Sequence, residues 1–235
     1  MADRSDDGRH DLYGPFMSWA PHPTTSIPIA DPSVSSSRER LRALTRIETP
    51  RLYLRPLARA DAELVVGWRN EPANADMFLL PPPTLEQHLA WFDAPRVGRI
   101  DWVIVDRARD VPIGTLNYKR FDDASGSAET GTLLGDTASR GKGFAREAKA
   151  AWMLYGFAAL GLERVEVVMR ADNAAIIHIN TVLGCLPDGV VELPNAAGIP
   201  MPFMRMALTR DGVLCRSLYA AADLHGFLGV IAPRS

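Results

Sequence analysis

The stretch Gly135-Asp136-Thr137-Ala138-Ser139-Arg140-Gly141-Lys142-Gly143-Phe144-Ala145-Arg146 constrains this chain more than any other. It follows an apolar, strand-like run from Ala128 to Leu134. It precedes a segment in which Phe144, Ala148, Ala151, Trp152, Tyr155 and Ala159 recur at helical spacing. Strand, glycine-rich turn and helix in that order place a helix N-terminus at the end of a strand. The first N–H groups of a helix lack intrahelical partners, and the helix dipole is positive there. Gly141 and Gly143 let an anion approach the backbone, and Arg140, Lys142 and Arg146 add charge. The pattern predicts an anion site of the phosphate-binding kind.

Spacing decides which anion. A Walker loop needs a glycine where Asp136 stands and a serine or threonine where Gly143 stands, so it fails twice. A dinucleotide fingerprint would read Gly141-x-Gly143-x-x-Gly, but its last position is Arg146, and the preceding antiparallel meander does not suit a βαβ unit. The pattern Arg/Gln-x-x-Gly-x-Gly/Ala is met by Arg140, Gly143 and Ala145. This resembles the coenzyme A pyrophosphate loop of the GNAT acetyltransferase superfamily. The resemblance runs from about Arg51 to Leu208. It includes Glu129 to Asp136 as the superfamily's fourth strand, Arg140 to Ala148 as the start of its third helix, and Asp172-Asn173-Ala174-Ala175 through Leu183-Gly184-Cys185 as its fourth. It implies the acyl-CoA N-acyltransferase fold and acetyl-CoA as cosubstrate, with no metal.

The rest of the chain is consistent with that fold. Leu52 and Leu54 alternate with Tyr53 and Arg55, as in a half-buried strand. Asp61 is placed to cap a helix carrying Leu64, Val65 and Trp68, and Thr84-Leu85-Glu86-Gln87 is a capping box for a helix through Leu89, Trp91 and Phe92. Trp102 to Val105, Ile113 to Tyr118 and Ala128 to Leu134 read as an antiparallel meander. Gly161 suits a helix C-cap and Val165 to Met169 a strand. Asp172 or Asn173 caps a short helix ending near Gly184, and Val190, Val191 and Phe203 to Leu208 supply a hairpin. The expected fold class is mixed α/β, with a mostly antiparallel central sheet flanked by helices.

Residues 1–45 are rich in proline and serine and read as a poorly ordered leader, which Tyr13, Phe16 or Trp19 could pin to the body. Residues 46–210 form the expected catalytic domain, and 211–235 an extension with a possible helix at Ser217 to Ala222. A net charge of -2 gives no global reason to expect nucleic acid. No apolar run approaches the roughly 18 residues of a membrane span. Cys185 and Cys215 suggest buried thiols rather than a disulfide scaffold. The expectation is a cytoplasmic enzyme whose partners are acetyl-CoA and an amine, with homodimer formation left open.

Chemistry assigns the remaining residues. The attacking amine must be neutral, so a carboxylate is needed to take its proton. Glu129 resembles the superfamily's glutamate on this strand and is the candidate base; the alternative is an ordinary strand-surface carboxylate. Asp136 is read as shaping the turn. A backbone N–H at Leu133 or Leu134 is the expected donor to the oxyanion. Many superfamily members carry a tyrosine seven residues after the asparagine that matches Asn173. Here that position is Asn180, whose amide can hydrogen-bond a sulfur but cannot act as an acid. Asn173 matches an asparagine near the thioester or pantetheine arm and could also cap a helix. Loop residues Arg140, Gly141, Lys142, Gly143, Phe144, Ala145 and Arg146 are expected to hold the pyrophosphate.

Within the superfamily the chain resembles the ribosomal-protein alanine acetyltransferases and, through Trp68-Arg69-Asn70, Gln87-His88-Leu89 and Ile113-Gly114-Thr115-Leu116, the nucleotide-linked amino-sugar N-acetyltransferases. Trp68, Arg69 and Asn70 are candidate acceptor contacts, with a core aromatic and a helix end as the alternatives. His88 is read as a helix-surface residue. Three functions follow: acetylation of a small-molecule amine, acetylation of a protein or peptide N-terminus, and a CoA-binding module without turnover.

Overall fold

The computed structural model describes residues 45–75, 77–195 and 197–210. Residues 1–44 of the expected leader, Cys215 and the segment Ser217 to Ala222 lie outside the described residues.

Eight strands form one sheet: β1 (Ile47–Glu48), β2 (Leu52–Pro56), β3 (Arg99–Asp106), β4 (Val111–Asp122), β5 (Ser127–Leu134), β6 (Arg164–Arg170), β7 (Leu186–Pro194) and β8 (Pro200–Thr209). Their order is β1-β2-β3-β4-β5-β6-β8-β7. Every neighbouring pair is antiparallel except β5–β6. A parallel pair needs a long crossover. Here it is α4 (Phe144–Tyr155), continued by a π turn, Gly156–Leu160, that ends on Gly161 in the left-handed region, φ 74°.

Alternation along the strands produces two faces. Leu52, Leu54, Trp102, Ile104, Leu116, Tyr118, Ala128, Val165 and Val167 form the main core with α4 and with α5 (Ala174–Val182). On the opposite face Val103 and Val105 pack on Leu57, Val65 and Trp68 of the segment around α1 (Ala62–Asn70). A one-turn helix α2 (Pro72–Ala75) and α3 (Leu85–Asp93) complete that layer.

The Thr84–Gln87 box forms as expected: the Gln87 N–H donates to Thr84 Oγ1 at 3.2 Å, and the Thr84 N–H to Gln87 Oε1 at 2.9 Å. Three expectations need correction. Asp61 precedes α1 without capping it, because its carboxylate is taken by Arg55 at 2.7 and 2.8 Å and by the Ala58 N–H at 2.8 Å. Leu64 faces outward, 38% exposed, so the buried stripe of α1 is Val65 and Trp68. His88 is not on the surface: it is 1% exposed and turned inward.

The feature that matters for function lies between β5 and β6. Their ladder comprises Ser127↔Arg164, Ala128↔Val165 and Glu129↔Glu166, and stops there. β6 continues along β8 to Arg170↔Phe203, and β5 along β4 to Leu134↔Gly114. Thr130–Leu134 and Val167–Arg170 therefore diverge and leave a gap in the middle of the sheet.

Candidate active site

The loop that follows β5 is braced from both sides. Asp136 starts its first turn, Thr137–Ser139, by accepting from the Ala138 N–H at 3.1 Å and the Ser139 hydroxyl at 2.5 Å. The Ser139 hydrogen bond, reinforced by Arg109, holds the Asp136 carboxyl below the usual range. Gly141 and Gly143 both sit in the left-handed region, φ 74° and 78°, which favours glycine. A side chain at Gly141 would meet open space, so the backbone there is approachable from outside. Gly143 is the N-cap of α4, and its carbonyl accepts the first helical bond from Glu147. Arg140, Gly141, Lys142 and Arg146 are exposed around this end, and Phe144 is buried as the anchor of the helix.

On one flank, Arg51 donates to the Lys142 carbonyl at 2.8 Å and to Glu147 Oε2 at 2.6 Å. Thr49 Oγ1 and the Arg51 N–H also donate to Glu147 Oε1. On the other flank, Asn74 donates to the Trp68 and Gly135 carbonyls at 2.8 and 3.2 Å and accepts from Arg140 Nη2. The ring of Trp68 lies so close to Gly135 that a Cβ there would stand 2.2 Å from it. Sequence reasoning missed Arg51, Asn74 and Glu147. An acid in the first turn of α4 is a signal for Glu147; Asn74 carries no local signal.

The gap brings several expected residues together. Glu129, 8% exposed, sits at its root, where its carboxylate pairs with Lys119 Nζ at 3.0 Å and with Arg120. Leu133 and Leu134 follow on the diverging part of β5. On the other wall, Asn180 of α5 is fully buried and its Nδ2 donates to Met169 Sδ at 3.3 Å. Asn173 caps α5 by accepting from the Ile176 N–H at 3.2 Å, and its Nδ2 reaches Met77 Sδ at 3.5 Å. Asn180 Oδ1, Thr132 Oγ1 and Lys149 Nζ are buried without a hydrogen-bond partner among the described residues. Buried polar atoms are normally paired. Asn180 and Thr132 belong to elements on the two sides of the gap, α5 and β5.

The acceptor candidates are less uniform. Trp68 is 8% exposed, within the packing beneath Gly135. Arg69 is 5% exposed, its guanidinium 4.1 Å from the Phe78 ring centroid. Asn70 is exposed and donates to the Val66 carbonyl at 2.8 Å, closing α1. His88 is pushed down to about 4 by burial and by the charge of Arg69, so its ring is neutral near pH 7. Among the described residues, no group of three or more His, Cys, Asp or Glu could hold a metal, and no helix is long and apolar enough to cross a membrane.

This geometry agrees with known proteins. Uncharacterized N-acetyltransferase p20 of Bacillus licheniformis is 29% identical over 150 residues, which are 61% of this chain and 84% of that protein. Uncharacterized N-acetyltransferase YoaA of Bacillus subtilis is 28% identical over 152 residues, 62% and 85% of the two chains. Spermidine N-acetyltransferase from Vibrio cholerae, solved in complex with CoA and spermine, superposes with a TM-score of 0.64 at 20% identity, covering 70% of this chain and 98% of that one. Ribosomal-protein-S5-alanine acetyltransferase from Vibrio fischeri does so with a TM-score of 0.61 at 19% identity, covering 72% and 98%. At such identities the structural likeness speaks for the fold. The family profile described as the acetyltransferase (GNAT) domain matches residues 51–185, more than half of the chain. The loop at Arg140, the interrupted β5–β6 ladder and this match converge: the chain belongs to the GNAT acetyltransferase family.

Proposed function

We propose that the protein transfers an acetyl group from acetyl-CoA to a primary amine of a small molecule, by direct attack in a ternary complex. The observation that carries this reading is the gap between β5 and β6, which has the braced loop at one end and a buried carboxylate at the other. The bound donor supplies an activated thioester, whose displacement needs a free amine and leaves a thiolate. The loop holds the pyrophosphate: Gly141, Lys142, Gly143, Phe144, Ala145 and Arg146 through backbone N–H groups and positive charge, and Arg140 through its guanidinium. A backbone N–H of Leu133 or Leu134 steadies negative charge on the carbonyl oxygen.

Glu129 takes up the amine proton, directly or through water. Its pairing with Lys119 and Arg120 aims the carboxylate before the amine arrives. From the other wall Asn180 offers the sulfur the second N–H of its amide, the first being held by Met169 Sδ, and it acts as a hydrogen-bond donor only, since an amide cannot supply a proton near neutral pH. Asn173 holds the arm beside it.

The contact of Asn173 Nδ2 with Met77 Sδ supports a small acceptor, because it brings the segment after α2 against the start of α5. Asn70, the exposed member of the Trp68-Arg69-Asn70 run, is the acceptor contact; Trp68 and Arg69 shape the wall behind it. A nucleotide-linked amino sugar is the acceptor class this favours.

The test is mass-spectrometric detection of acetylated product from acetyl-CoA with nucleotide-linked amino sugars, polyamines and peptides with N-terminal alanine. Turnover of a compact amine is expected, with Glu129→Gln losing about 100-fold in kcat at unchanged CoA affinity. Exclusive turnover of peptides would overturn the small-acceptor reading. No consumption of acetyl-CoA with any amine would overturn the catalytic one.

A further inference from the structure

Asn74 has an unusual set of tasks for a residue on a one-turn helix. It is 2% exposed. Its backbone is fixed twice, donating to the Glu71 carbonyl at 2.8 Å and accepting from the Met77 N–H at 3.0 Å. Its side chain joins three places far apart in sequence: the Trp68 carbonyl in α1, the Gly135 carbonyl at the end of β5, and the Arg140 guanidinium. Both amide protons and the carbonyl oxygen are engaged. Neither Asp nor Leu could reproduce this, because Asp lacks the two donors and Leu lacks all polar atoms.

Arg140 is exposed and sits in the loop read above as the pyrophosphate cradle. A free arginine samples many rotamers, and fixing it costs side-chain entropy. Arg140 has part of that freedom removed already, by a buried amide that cannot move. The amide is immobile because it also spans the two carbonyls where Trp68 rests on Gly135.

We propose that Asn74 is a positioning residue for the donor: it presets the Arg140 guanidinium for the CoA pyrophosphate and locks the mouth of the loop to the acceptor-side helices. The inference rests on the reading of the loop as the CoA site. It adds a residue outside the loop, and a physical link from the loop to α1 through the Trp68 carbonyl and to Met77 through its backbone N–H.

Calorimetric titration with CoA, and NMR titration with pantetheine, which lacks the pyrophosphate, test it on the full chain. Wild type, Asn74→Ala, Arg140→Ala and the double variant are compared. Asn74→Ala is expected to weaken CoA about 10-fold, the loss of one hydrogen bond to a charged group, and to leave pantetheine affinity unchanged. In the Arg140→Ala background the Asn74 substitution is expected to add less than 2-fold, because the two residues act as a unit. Asn74→Asp keeps an acceptor for Arg140 and serves if Asn74→Ala fails to fold. It is expected to weaken CoA while sparing pantetheine. Equal losses for CoA and pantetheine would make Asn74 a merely structural residue and overturn the proposal, as would independent effects in the double variant or unchanged CoA affinity. Wild-type protein that binds no CoA would overturn the donor reading itself, and this inference with it.

Discussion

Glu147 accepts two hydrogen bonds from Arg51, one from the backbone N–H at 2.9 Å and one from Nε at 2.6 Å. This pair ties the first turn of α4 to the start of β2, and through the Arg51 bond to the Lys142 carbonyl it also fixes the loop. Glu147 is 4% exposed, and Thr49 donates to it as well. Removing the carboxylate leaves three donors without their acceptor. Glu147→Ala is expected to cost about 3 kcal/mol, and Glu147→Gln roughly half of that because one acceptor oxygen survives. Urea denaturation of the two variants checks the order.

Lys149 and Cys185 give a dependence on alkaline pH whose two parts oppose each other. Burial pushes Lys149 down to about 8 from 10.5, so the unfolded chain binds more protons between those values and stability rises with pH across that window. Burial pushes Cys185 up to about 11 from 9.0, so there the folded chain binds more protons and stability falls between about 9 and 11. Guanidinium unfolding from pH 7 to 11 should give a rise that levels off above pH 9. Lys149→Met should remove the rise, leave the decline, and stabilise the protein at pH 7 by about 3 kcal/mol. A variant no more stable than wild type at pH 7 would count against a buried lysine that carries its charge at that pH.

His88 acts at the acid end. Its ring is pushed down to about 4 from 6.5, so the unfolded state binds more protons in that interval and stability is lost as pH falls through it. The loss reaches about 3 kcal/mol at most. Unfolding followed from pH 7 to 4 should show wild type losing more stability than His88→Leu, and the difference should vanish above pH 7.

Gly135 has no room for a methyl group, since its Cβ would lie 2.2 Å from Trp68. Gly135→Ala is expected to destabilise by about 2–3 kcal/mol and to weaken CoA binding by shifting the loop. Trp68→Leu should recover part of the loss. Thermal denaturation of the single and double variants measures that coupling.

The glycine-rich turn into α4, which we propose as the donor loop, was legible because its features are local: glycines with positive φ, a helix start and basic residues lie within a few positions of one another. The order of strands and helices was legible for the same reason, since period-2 and helical patterns are read over short windows. What escaped depends on distant partners. Asn74 gains its meaning from Gly135 and Arg140, and Arg51 from Glu147, contacts no spacing announces. His88 was misread because its helix already had an apolar stripe in Leu89, Trp91 and Phe92, while the face it meets carries Arg69, Arg96, Arg99 and Asp101. Asp61 looked like a cap because nothing local revealed Arg55 as a stronger claimant.

The short β5–β6 ladder has a mechanical consequence. Three residue pairs join these strands, whereas β6 and β8 share seven. The sheet is therefore two stiff plates meeting at a narrow seam, with α4 and its π turn as the strap between them. A strain applied to either plate concentrates at the seam, so the line along which the protein bends most easily is also the line along which we propose its chemistry.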